Sequence, residues 1–247
     1  MLILLPPSEG KATDADGPPL DPAGLSLPEL NPARARVLEA LVQACARDDA
    51  AELLGLPAGQ AAAALARNRA LRGAPTLPAA RLYTGVLYDN LALPTLDPAH
   101  AAARIVVFSG LWGALRLSDH VPPYRLAMNV SLPPLGRLAA FWRPALVEAL
   151  GTPGGLVVDM RSAPYAAAWA PPGPAVAVRV FRERIVDGTP RRTVVSHMAK
   201  ATRGLIAHDL LAAGVDPGTP RELLKAVAGL GHVAELNGRY LDVILSD

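Results

Sequence analysis

Three segments gather residue types that could do chemistry. The first, Pro6-Pro7-Ser8-Glu9-Gly10-Lys11, sets a hydroxyl, a carboxylate and an ammonium side by side. A phosphate loop is excluded, because that motif needs Gly-Lys-Ser/Thr opening a helix, whereas Lys11 is followed by alanine and then a Pro/Asp-rich stretch. A polar loop or a solvated turn remains. The second segment runs from Ser109-Gly-Leu-Trp-Gly-Ala-Leu-Arg116 through Asp119-His120 to Tyr124-Arg125-Leu-Ala-Met128. Gly110 and Gly113 allow unusual backbone angles or a close approach. Arg116 and Arg125 offer two guanidinium forks to one anion, or satisfy buried carbonyls. The third is Ser196-His-Met-Ala-Lys200-Ala-Thr-Arg203-Gly204, a helical stretch with Lys200 and Arg203 on one face. Cations in a first helical turn oppose the helix dipole, a cost an anion bound there would offset.

These segments must sit on elements that bring them together. Met1–Leu5, Ile105–Phe108 and Gly155–Asp159 are short apolar runs that read as buried strands, each delivering a polar loop at its end. Ala175–Val186 reads as a longer strand, turning at Asp187-Gly188 into Thr193–Val195 as a hairpin. Helices are expected over 138–150, from Ser196 as N-cap to about Ala213, and over 221–227, with a final strand at Tyr240–Leu245. Ala33–Leu71 is Ala/Leu-rich at helical spacing, broken at Leu54-Gly55-Leu56-Pro57-Ala58-Gly59, which predicts two helices around a tight turn. That turn is either an ordinary Schellman-type cap or a helix-hairpin-helix element near residues 45–72. In the latter, Gly55, Pro57 and Gly59 would let backbone N–H groups reach a phosphate. Strands and helices mix without strict alternation. The expected fold is therefore α/β or α+β: one compact domain over 1–247, a mixed sheet flanked by helices, and a helical lobe at about 33–72.

Composition narrows the chemistry. With 51% hydrophobic and 19% charged residues over 247 positions, wholesale disorder is excluded and a substantial core is expected. The longest uncharged stretch, Ser162–Val178, carries four prolines, so no membrane partner is expected; no secretory signal is visible, and a cytoplasmic location is expected. The single cysteine, Cys45, excludes internal disulfides and thiolate-rich metal clusters. Two of the five histidines, His197 and His208, share a helical stripe but lie ~16 Å apart, too far for one ion. No metal and no cofactor is expected. Lys plus Arg is 24 against 22 for Asp plus Glu, a net charge of +2, too small to make the whole surface a nucleic-acid magnet. Only Lys11, Lys200 and Lys225 are lysines, so the other cations are arginines, suited to bidentate anion binding if they converge.

Taken together, the segments resemble the YaaA family of bacterial peroxide stress response proteins. The opening Met1-Leu-Ile-Leu-Leu-Pro-Pro-Ser-Glu-Gly-Lys11, Leu82-Tyr-Thr-Gly-Val-Leu-Tyr88, the Ser109–Arg116 and Pro123–Met128 loops, Phe141-Trp142, Asp159-Met-Arg-Ser162, Ser196–Gly204 and Leu236-Asn-Gly-Arg-Tyr240 carry the match, in family order. Enterobacterial members read Ala-Lys-Lys-Ala-Arg-Gly where this chain has Ala-Lys-Ala-Thr-Arg-Gly. The resemblance implies a cytoplasmic protein that limits free iron and iron-driven damage, with a family-specific fold, a basic cleft and a helix-hairpin-helix element. It implies binding to duplex or distorted DNA without sequence specificity. Carried onto this chain, the cleft residues are Ser8, Lys11, Arg116, Arg125, Arg161, Lys200 and Arg203, and the hairpin residues Gly55, Pro57 and Gly59.

The rival expectation is an enzyme. Ser8, Glu9, Lys11, Tyr124, Arg125, Asp159, Arg161, His197 and Lys200 have more acid–base capacity than DNA docking requires. They could hold a small phosphorylated or carboxylated metabolite as an anionic ligand, with Glu9, Lys11, His197 and Lys200 as catalytic candidates and Glu9 or His197 as base. A third reading, direct iron sequestration, rests on carboxylates such as Glu9 and Asp159.

Overall fold

The computed structural model describes residues 1–186 and 189–246. β1 (Leu2–Leu5) is followed by α1 (Asn31–Ala44), α2 (Ala50–Leu53) and α3 (Ala58–Arg69). Then come β2 (Leu77–Pro78), α4 (Ala79–Leu82), α5 (Val86–Leu91), α6 (Pro98–Arg104), β3 (Ile105–Ser109) and β4 (Gly113–Leu115). The middle of the chain holds β5 (His120–Val121), β6 (Ser131–Leu132), β7 (Gly136–Arg137), α7 (Leu138–Leu150), β8 (Val157–Asp159) and α8 (Ala163–Ala166). β9 (Ala175–Val186), β10 (Thr189–Val194), α9 (Ser196–Ala212), α10 (Pro220–Gly229), β11 (Ala234–Asn237) and β12 (Tyr240–Ser246) complete it.

The main sheet has eight strands in the order β11-β12-β9-β8-β1-β3-β4, with β10 beside the far half of β9. Neighbours from β12 through β3 run parallel, while β4, β10 and β11 add antiparallel edges. It is the mixed sheet flanked by helices that the sequence implies. Strands covered on both faces read as unbroken apolar runs, which is why Leu-Ile-Leu-Leu, Ile-Val-Val-Phe and Val-Val could be read directly. Ile3 sits opposite Ile105 on one side and Val158 on the other, all fully buried. The chain leaves β1 for β3 on one side and β8 on the other. The carboxyl ends of these strands therefore flank a topological switch point, where open α/β sheets form binding crevices.

Several boundaries differ from the sequence reading. The Ala/Leu-rich region forms three helices, not two, because Arg47-Asp48-Asp49 interrupts it after Ala44. Helix α9 starts at Ser196 itself, so the cap position falls on Val195. The expected turn at Asp187-Gly188 lies outside the described residues. The glycines after β3 serve close packing: a Cβ on Gly110 would sit 2.6 Å from the Leu126 carbonyl, and one on Gly113 (φ +73°) would sit 2.8 Å from the Trp142 ring. Trp142, itself fully buried, donates its indole N–H to the Gly110 carbonyl at 2.9 Å. The loop expected to carry function is thus wedged against α7 before it reaches Tyr124.

Candidate functional site

The site begins where β1 runs out. Pro6 and Pro7 end the strand and turn the chain towards Lys11, whose backbone forms an isolated antiparallel bridge with Tyr83. Ala12 N–H donates to the Leu82 carbonyl at 2.9 Å, and the Tyr88 hydroxyl donates to the Pro6 carbonyl at 2.7 Å. The loop is therefore held at both ends. Inside it the Lys11 ammonium donates to the Ser8 carbonyl at 2.7 Å and lies over two aromatic faces, 4.3 Å from the Tyr124 ring centre and 5.5 Å from that of Tyr83. Cations are attracted to such faces by the ring quadrupole.

Behind Lys11 runs a buried hydroxyl chain. Ser109 Oγ and the Tyr124 hydroxyl share a hydrogen bond of 2.6 Å, and the Tyr124 and Tyr83 hydroxyls one of 3.1 Å. Ser109 Oγ also accepts from the N–H groups of Leu111 and Trp112. Burial pushes the Tyr83, Tyr88 and Tyr124 phenols well above their usual range, so all three stay protonated and available as donors. Tyr165, on α8 and lining the same cavity as Lys11, is pushed up to about 12, again mainly by burial.

Arg125 enters from the second predicted segment. Its backbone is gripped by Asn68 of α3, which donates to the Arg125 carbonyl at 2.8 Å and accepts its N–H at 2.9 Å. The guanidinium reaches the exposed carboxylate of Glu9 at 3.0 Å. Helix α9 supplies the third wall with His197, Lys200 and Arg203. Arg203 donates from Nε and Nη2 to the Val178 carbonyl, at 3.2 and 3.0 Å, tying the helix to β9; its burial pulls the guanidinium below its ordinary value. These walls enclose a cavity of about 440 Å³ at the carboxyl ends of the parallel strands, into which Ser8, Glu9, Lys11, Arg125, His197, Lys200 and Arg203 all contribute.

The other candidates lie elsewhere. Arg161 is spent on the fold: Nε and Nη2 grip Asp159 at 2.8 and 2.7 Å, and Nη1 and Nη2 also donate to the carbonyls of Tyr165 and Trp169. Its side chain is fully buried, with the guanidinium 4.1 Å from the Phe108 ring centre. Asp159 is thereby committed as well. Arg116 is not among the cavity-lining residues; its backbone N–H donates to Asp119. At the hairpin, Leu56 N–H bonds the Ala51 carbonyl and Gly55 N–H the Glu52 carbonyl, with Gly55 at φ +62°, which is a Schellman cap. Gly59 stands in open space and Pro57 precedes α3. His208 is turned to the Leu91 carbonyl and His232 to Asp209. Among the described residues no three His, Cys, Asp or Glu side chains gather as metal ligands. No helix among them is long and apolar enough to cross a membrane.

With this geometry in place, the comparisons decide the lineage. The model of the family described as peroxide stress protein YaaA matches residues 1–233. The chain belongs to the YaaA family. It is similar to a UPF0246 protein of Streptomyces coelicolor, 50% identical over 242 residues covering 95% of this chain and 92% of that one. A UPF0246 protein of Corynebacterium efficiens is 40% identical over 241 residues, covering 96% of each chain. The YaaA-family match spans every wall of the cavity, from the β1 loop to α9.

Lys11 gives the site a pH signature. Burial, then the neighbouring Arg125 and Arg67 charges, lower its pKa from an ordinary 10.5 to about 7, against a smaller upward pull from Glu9. Between those two values the unfolded chain binds the extra proton, so this group makes stability rise with pH across that window and penalises the fold fully below it. Lys11→Met should therefore raise the melting temperature over wild type at about pH 6 and lose that advantage towards pH 10. Thermal denaturation of both proteins across this range checks it; a difference independent of pH contradicts the burial of a titrating amine.

Proposed function

We propose that this peroxide stress protein binds DNA through its phosphates, duplex or distorted and without sequence specificity, and so limits iron-driven oxidative damage. The observation that carries the reading is convergence. Lys11, Arg125, Lys200 and Arg203 come from three distant segments of a chain with a net charge of only +2, yet they line one cleft. Helix α3 supports it further. Its C-terminal end fixes Arg125 through Asn68, and its N-terminal hairpin with Gly55, Pro57 and Gly59 lies ~16 Å further along the helix. With the Gly55 and Leu56 N–H groups closed in the cap, a strand running from the cleft along α3 would place a second phosphate at the first-turn N–H groups of Ala58 and Gly59.

The test is fluorescence anisotropy with duplex, bubbled and single-stranded oligonucleotides, from roughly 50 to 300 mM salt, where affinity on duplex should fall with a slope of about −0.9 per phosphate contacted. Arg125→Ala/Lys200→Ala should weaken binding on every sequence and reduce the slope by about one unit per cation removed. Arg203 is left intact because it also ties α9 to β9. Absence of binding at the lowest salt, or a double variant that binds equally well, sinks the reading. A second reading, a small anionic ligand and an enzyme, is favoured by the cavity itself. About 440 Å³ accommodates a small ligand or a single unstacked nucleotide but not a duplex.

A further inference from the structure

Lys11 is chemically unlike the other cations of the cleft. Arg125 has Glu9 as counter-ion and Arg203 has the Val178 carbonyl, whereas Lys11 forms no ion pair among the described residues and rests on aromatic faces. Ser8 takes one of its hydrogens at 2.7 Å, fixing the amine at the cavity wall. Burial and the two nearby guanidiniums hold its pKa to about 7, so at neutral pH a large share of the amine is uncharged. An uncharged amine keeps a hydrogen for Ser8 and gains a free lone pair, which makes it a nucleophile.

We propose that Lys11 Nζ captures the carbonyl carbon of a phosphorylated aldehyde as an imine, with Arg125 and Lys200 holding the phosphate. The charge balance selects that class. With Lys11 neutral, the cations of Arg125, Lys200 and Arg203 stand against the single carboxylate of Glu9, a surplus of two that matches a phosphate dianion better than a carboxylate. In the reaction the nitrogen lone pair forms the new C–N bond while the carbonyl π electrons move to oxygen. The resulting carbinolamine then loses that oxygen as water, carrying away both amine protons, and leaves C=N. No oxidant or reductant is consumed. The protonated hydroxyls of Tyr83 and Tyr124 keep the wall beneath Lys11 free of a competing negative charge that would re-protonate the amine.

Such an aldehyde has two sources: a free sugar-phosphate-like metabolite, or the ring-opened sugar of an abasic site in DNA, flanked by its own phosphates. The inference does not depend on DNA binding, since the first source needs none. Pyridoxal 5′-phosphate serves as the free probe and a duplex with one abasic site as the other, each incubated with the full chain and reduced with cyanoborohydride. Peptide mass spectrometry then locates the adduct. The chain has only three lysines, so Lys200 and Lys225 act as internal references within the wild type. At pH ~7.5 Lys11 should carry at least about tenfold more label than either, because burial and the neighbouring guanidiniums leave its amine largely free of the proton that blocks attack. Pyridoxal lacking the phosphate, and the Arg125→Ala/Lys200→Ala variant with the phosphorylated probe, should each label Lys11 several-fold less.

Label on Lys11 from the free probe alone assigns a metabolite; a cross-link to the abasic duplex at Lys11 assigns DNA. Even labelling of the three lysines, or labelling indifferent to the phosphate, overturns the proposal. Lys11→Arg removes the adduct while keeping a cation, and circular dichroism confirms that it folds; should it not, the distribution among the wild-type lysines still decides. Anisotropy without DNA binding but with phosphate-dependent Lys11 labelling would end the DNA reading and leave the imine standing.

Discussion

Asp159→Ala should unfold the protein more readily than any exposed substitution, by about 3–5 kcal/mol, because it strips the counter-ion from a guanidinium that has no route to water. The Arg161 side chain is fully buried, and Asp159 meets it with both oxygens while also accepting the Arg161 backbone N–H at 3.0 Å. The carbonyls of Tyr165 and Trp169 would still accept two of its N–H groups but cannot neutralise its charge. In a domain of this size that loss corresponds to a fall in melting temperature of roughly 6–20 °C. Asp159→Asn retains the shape and one acceptor and should fall between the two. A melting temperature within a few degrees of wild type for Asp159→Ala would mean that water replaces the carboxylate, and the pair would lose its place as a core fastener. The effect reaches the cleft through the chain, since Ser162, Pro164 and Tyr165 follow directly and line the cavity.

Arg161 also shows where a sequence stops being informative. Arg125 and Arg161 are the same residue type on comparable strand-end loops, and only their partners separate an anion-facing guanidinium from a structural one. One signal was available: in Asp159-Met-Arg161 the carboxylate and the guanidinium are two residues apart, so along an extended segment they fall on the same side and can pair. The buried strands and α9 were legible because a fully covered strand and a two-faced helix impose their own periodicity. Strand β11, with its alternating half-buried and exposed residues, and the two-residue strands carry too few positions for a period to register. Within the site, Ser8, Glu9, Lys11, Arg125, His197, Lys200 and Arg203 were readable as chemistry-bearing residues in loops and a first helical turn. Asn68, Tyr83 and the Ser109 hydroxyl had no such signal. Tyr83 and Tyr124 are 41 residues apart and meet only because the segment after α4 is stitched to the β1 loop.

The second large effect expected is from a single methyl group. Gly204→Ala places a Cβ 2.1 Å from the Leu87 carbonyl oxygen and 3.0 Å from Asn90 Cβ, where α9 crosses α5. Two effects oppose each other. Alanine is the better helix former by about 0.8–1.0 kcal/mol, and were the site open the substitution would stabilise. Overpacking costs about 1–3 kcal/mol, occasionally more, and here the obstacle is backbone rather than the yielding tip of a side chain. The clash should win, because the obstacle is a carbonyl that cannot swing aside, with a net loss of up to about 2 kcal/mol. Gly229→Ala supplies the control. It lies in α10 with nothing within 4 Å of an added Cβ, and should leave stability unchanged or raise it by up to about 1 kcal/mol. Urea denaturation of both variants separates the cases: equal stabilities would mean that α5 and α9 are free to part. The functional consequence follows from the same geometry. Gly204 directly follows Arg203, and His197 and Lys200 are on the same helix, so a shift of α9 away from α5 withdraws one whole wall of the cleft. Gly204→Ala should therefore weaken DNA binding and phosphate-dependent labelling of Lys11 together, although it removes no charge and touches neither Lys11 nor Arg125.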